Sequence, residues 1–81
     1  MDIQTILDER QKTHGDFKIN SAITQSLKRA LADEGNLSDA QREALDMILH
    51  KIGRIVAGNA NEKDHWDDIA GYATLVANLL E

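Results

Sequence analysis

Five carboxylates and a group of basic side chains crowd two stretches of this 81-residue sequence. Glu43 and Asp46 precede His50, Lys51 and Arg54, and Asp64, Asp67 and Asp68 follow a short gap later. At ~100° per residue on a helical wheel, Glu43, Asp46, His50 and Arg54 fall on one stripe. Asp68 falls inside an apolar arc, between Leu75 and Leu79. A carboxylate aimed inward must meet a cation, a metal or hydrogen-bond donors, because unpaired burial costs several kcal/mol. Oxygen-only donor sets suit magnesium or manganese. Zinc is not expected, since the sequence has no cysteine and His14, His50 and His65 form no metal-spaced pair. Thiol chemistry is excluded, and there is no glycine-rich phosphate loop or GxSxG elbow. Plainer readings stand beside the chemical one. Asp64 and Asp67 complement a helix dipole, and Asp68 pairs with Lys51 or Arg54.

The elements that must hold these groups are helical. Gly15-Asp16, Gly35-Asn36 and Gly58-Asn59 divide the chain into four segments, with no proline anywhere. Ile3, Ile6 and Leu7 give the first segment, about 2–13, a helical stripe. Ile19, Ala22, Ile23, Leu27, Ala30 and Leu31 do the same for the second, about 19–33. His14-Gly15-Asp16-Phe17 reads as a turn with one large apolar anchor. In the third segment Ser38 and Gln41 fit a capping box, and Leu45, Ile48, Leu49, Ile52, Ile55 and Val56 keep the helical spacing up to Gly58, read as a left-handed helix stop. The fourth runs from about Lys63 with Asn61 or Asp64 as cap. Its apolar face carries Trp66, Ile69, Tyr72, Ala73, Val76, Leu79 and Leu80. The short linker predicts antiparallel packing of the last two helices, which brings Asp64–Asp68 toward Arg54, Lys51 and His50. Gly53 and Gly71 sit mid-helix, each costing about 1 kcal/mol against alanine, which suggests close helix approach. At Gly71 the alternative is room for a ligand.

The predicted fold is therefore all-α, a small four-helix bundle-like arrangement forming a single domain over 1–81. So short a chain, with three aromatic residues and no disulfide, gains from partner subunits, and a homo-oligomer is expected. The net charge of −5 argues against non-specific nucleic-acid binding but not against one phosphate compound in a basic pocket. The sequence shows no signal-peptide pattern and no apolar run of roughly 20 residues, so a cytoplasmic protein with no membrane partner is expected.

Two patterns resemble known families. Glu43-Ala-Leu-Asp46 and Asp64-His-Trp-Asp67 on consecutive helices resemble the paired acidic signature of the all-α nucleoside triphosphate pyrophosphatases, the MazG-like superfamily. Lys51-Ile-Gly-Arg54 followed by Trp66-Asp67-Asp68-Ile69-Ala70-Gly71-Tyr72-Ala73 resembles small phage and prophage proteins ending in K-x-x-R…W-x-D-I-A-G-Y-A. Their early R-x-x-x-Y-G-D-F stretch is matched by Arg10 and His14-Gly15-Asp16-Phe17, with His14 where tyrosine is usual. The resemblance implies a phage-encoded protein in the cytoplasm of an infected or lysogenic cell. It implies Mg2+ or Mn2+ held by Glu43, Asp46, Asp64 and either Asp67 or Asp68, with water attacking the α-phosphorus of a nucleoside triphosphate. Glu43, Asp46 and Asp64 would be the catalytic carboxylates. Lys51 and Arg54 would neutralise phosphate oxygens, and Arg10, His14 and Asp16 would complete the pocket from another helix or subunit. The acidic positions depart from the enzyme pattern, since aspartate replaces glutamate and the two registers select different aspartates. Two alternatives follow, a non-catalytic protein that sequesters a nucleotide and a protein-interaction module.

Overall fold

The computed structural model describes residues 2–32 and 35–80, and they form four helices with no strand. These are α1 (Ile3–His14), α2 (Phe17–Leu31), α3 (Asp39–Ala57) and α4 (Lys63–Leu79). Each of the first three starts where a side chain satisfies the orphan amides of the first turn. Asp2 accepts from Thr5 N at 2.8 Å. Asp16 accepts from Lys18 N and Ile19 N. Ser38 and Gln41 exchange both bonds of the capping box. Because Asp16 is the cap, α2 begins at Phe17, two residues before the apolar periodicity starts. Phe17 is exposed and anchors nothing in the chain, so that expectation is corrected. The expected end of the second segment at Asp33 lies outside the described residues.

α4 has Glu62 at its cap position with no side-chain cap bond, rather than Asn61 or Asp64. The polar partner is spent one turn earlier, where Asn59 Oδ1 accepts from Asn61 N at 2.9 Å. Gly58 is not left-handed either (φ −118°). It is needed because the backbone of His14-Gly15 lies against it, so a Cβ on Gly58 would sit 2.5 Å from Gly15 N. At this junction the glycine with positive φ is Gly15, at 81°.

α3 is the centre of the fold. It packs most extensively on α4, then on α2, while α1 touches α2 and α3. The α2 side of α3 is marked by Gly53, where any Cβ would collide with Thr24 Oγ1 and Asn20 Oδ1. The α4 side is marked by Lys51, whose ammonium pairs with Asp68 of α4. Between these two flanks α3 presents two broad sides. One carries Asp46, His50, Glu43 and Arg54. The other carries Leu45, Ile48, Ile52, Ile55 and Val56 and no ionisable residue. α2 and α4 do not approach each other across either side. The four helices form a small bundle centred on α3, as expected, with α2 and α4 on its two flanks. Only Ala44 and Leu49 are fully buried apolar residues among those described. No helix in the described residues is long and apolar enough to cross a membrane.

Candidate functional site

Where the ends of α1 and α3 meet the start of α4, a cleft of about 280 Å³ opens, lined by Thr13, His14, Lys51, Arg54, Glu62, Asp64, His65 and Asp68. Its floor is a polar knot. The Thr13 carbonyl oxygen accepts from Asn59 N at 3.0 Å and from His65 Nε2 at 2.9 Å. His65 therefore carries its proton on Nε2, and at 3% exposure it is one of the most buried side chains. Its ring meets His14 edge to face, with centroids 5.1 Å apart. The Thr13 hydroxyl donates to Arg10 O at 3.1 Å and lies 2.6 Å from His14 Nδ1. With that hydroxyl proton engaged, His14 Nδ1–H is the donor, and the lone pair of neutral His14 resides on Nε2. Asn20 Nδ2 holds the His14 carbonyl at 3.0 Å, fixing the corner from the α2 side.

The charges are unevenly matched. Lys51 Nζ, buried at 8% exposure, pairs with Asp68 Oδ2 at 3.0 Å. This is the ion pair expected of an inward carboxylate. Asp68 is nevertheless about half-exposed, so its carboxylate lies at the cleft mouth and not in a core. Arg54, one turn beyond Lys51, lines the cleft with no carboxylate within ion-pair distance among the described residues. Its effect shows on its neighbours. Burial first, then the Arg54 charge and His65, hold the His14 imidazole below its ordinary value. His50 is lowered by burial, then by Lys28 and Arg54, against an opposing pull from Asp46. Lys28 Nζ lies 3.1 Å from His50 Nε2, and an ammonium only donates, so that nitrogen carries the lone pair.

Of the site residues expected from the sequence, the cleft gathers His14, Lys51, Arg54, Asp64 and Asp68. Arg10 is exposed on α1 and does not line this cleft. Asp67 turns to Lys63 Nζ at 2.6 Å and borders a shallower groove with Asp68, Gly71, Tyr72 and Leu75. Glu43 and Asp46 line neither. The Lys51–Asp68 pair sets the register of α4 on α3. Asp46 is then two turns from Arg54, about 12 Å at 1.5 Å per residue, and Glu43 is about 16 Å away. Among the described residues no three His, Cys, Asp or Glu side chains come together to hold a metal ion. Within the single chain, Glu43, Asp46, Asp64, Asp67 and Asp68 therefore do not fit a magnesium or manganese set. Sequence position had not singled out Thr13, Glu62 or His65 for the cleft. His65 read as a core-edge histidine, and its apolar flank was the one available signal.

Fold and cleft together define a small all-α protein with one polar, partly buried pocket at a three-helix junction. The chain matches the family described as Domain of unknown function (DUF6378) over residues 3–80, and it belongs to that family. No curated protein and no solved structure matches it.

Proposed function

We propose that this protein binds a phosphate-bearing small molecule, of nucleotide type, in the cleft between His14, Lys51, Arg54 and His65, and holds it without hydrolysing it. One observation carries the reading. Arg54 offers a guanidinium to a partly buried cleft and, among the described residues, has no carboxylate within ion-pair distance. A planar fork of donors in such a setting suits phosphate oxygens. His14 adds an imidazole whose depressed basicity a neighbouring anion would raise again. Glu62 and Asp64, which also line the cleft, are acceptors for sugar hydroxyls or a base amino group. The volume is at the low end for small-molecule sites, which suits one phosphate and its neighbouring group.

The wider reading places the protein among phage-encoded, MazG-like helical proteins acting in the host cytoplasm. Magnesium-dependent pyrophosphohydrolysis is its catalytic form. The separation of Glu43 and Asp46 from the cleft weighs against that form and in favour of simple binding. Isothermal titration and thermal shift with inorganic phosphate, AMP and ATP, each with and without magnesium, test the proposal. A rise in melting temperature with the nucleotide recovered intact is expected, as is at least a tenfold loss of affinity in Arg54→Ala. Absence of any shift would overturn binding. Pyrophosphate release abolished by Asp46→Ala would overturn the non-catalytic form.

A further inference from the structure

The broad side of α3 that carries Leu45, Ile48, Ile52, Ile55 and Val56 has no ionisable residue; Val56 is exposed and the other four are only partly covered. α2 and α4 flank it as walls. By wheel position they contribute Ile19 and Ile23 from one and Ile69 and Ala73 from the other. The result is an apolar trough with exposed edges at Val56 (65%) and Ile19 (55%). Helical domains are built of packed layers that bury such faces against one another, and here the second layer is missing.

The surface area shows how much is missing. The single chain exposes 5902 Å², whereas a compact monomer of 9.0 kDa exposes about 4,850 Å². The excess is about 1,000 Å², and a stable interface buries about 800 Å² per partner. The radius of gyration points the same way, at 14.2 Å against about 12 Å for a compact chain of this length. We infer that a second copy of this chain covers the trough. The pairing is isologous, trough on trough, giving a two-layer helical dimer. Charge favours a second copy in this orientation. The trough side of α3 itself carries none of the chain's acidic residues, so two such sides meet without placing α3 carboxylates face to face. The inference is independent of what the polar cleft binds.

Sedimentation velocity and light scattering on the intact chain test it. The wild type is expected at twice the single-chain mass. Val56→Glu and Ile19→Glu, both at positions exposed in the single chain, are expected at the single-chain mass with helical circular dichroism retained. Leu75→Glu, exposed at 63% on the opposite flank of α4, is expected to stay paired. Trp66 gives a readout that needs no variant, because its indole borders the trough side and is about half-exposed in the single chain. Its quenching by acrylamide should rise at least twofold on dilution from 100 μM to nanomolar concentration. A wild type of single-chain mass at 100 μM would overturn the inference. So would a dimer split by Leu75→Glu but not by Val56→Glu, or quenching that stays constant while the dimer dissociates.

Discussion

The two flanks of α3 solve the same packing problem with opposite chemistry. Toward α2 the contact is steric. Gly53 removes a side chain so that Thr24, 2% exposed, and Asn20 can lie directly on the α3 backbone. Toward α4 the contact is polar, made by the Lys51–Asp68 pair and closed at the end by His65 on the Thr13 carbonyl. The steric flank is closed where Gly53 meets Thr24 and Asn20, with polar contacts at its edge from Lys28 to His50 and from Arg42 to the Leu31 carbonyl. The polar flank leaves a cleft, because charged and imidazole groups need space, water or a ligand to complete their partners. One helix therefore supplies a fixed seam and a responsive one. The candidate site lies on the second.

The strongest way to break this contrast is to fill the two mid-helix glycines. Gly53→Ala places a Cβ against Thr24 and Asn20 and should cost about 2 kcal/mol through overpacking, read as a lowered urea midpoint. Gly71→Ala meets nothing within 4 Å and should instead stabilise by about 1 kcal/mol, the helix propensity difference. Equal effects would mean the flanks are not distinguished by steric closeness.

A smaller effect sharpens the polar side. Asp68→Asn leaves the buried Lys51 charge without its partner, whereas Lys51→Met removes the charge and leaves Asp68 to water. The first should cost about 1 kcal/mol, a figure held down by the exposure of Asp68, and the second less. Chemical denaturation of both single variants and the double variant tests this order. A larger loss for Lys51→Met would show that its aliphatic stem, not its charge, holds α4.

The smallest expected effect is in pH. His14 and His50 both have folded values below their ordinary 6.5, so the unfolded chain binds protons first as pH falls. Their contribution to stability is full above about 6.5 and drains away as pH drops toward the folded values. Melting temperatures between pH 7.5 and 5.5 should show this decline, and the double variant His14→Gln, His50→Gln should flatten it. An undiminished slope in that variant would assign the decline to other groups.

Much of the helical framework was legible because it is local. The Ser38–Gln41 box, the apolar spacing of α3 and the short linker before α4 each involve neighbours in sequence. Asp68 was legible too, since its wheel position among leucines required a partner, and Lys51 was within reach. What could not be read depends on contacts distant along the chain. Gly58 resembled an ordinary helix stop until the His14-Gly15 backbone was found against it. Phe17 resembled an anchor, yet no element of the chain passes over it. The spread of the carboxylates follows from the sliding register of α4 on α3, which the Lys51–Asp68 pair fixes and which periodicity does not encode.

The double acceptance at the Thr13 carbonyl bears on motion as well as on shape. α1 buries no residue of its own and is fastened to the rest at its last turn, through that one oxygen and the His14 corner. Its amides should therefore exchange with deuterium before those of α3. Because the fastening borders the cleft, anything that settles there slows exchange along the entire first helix, and the N-terminal arm becomes a reporter of occupancy at a distance.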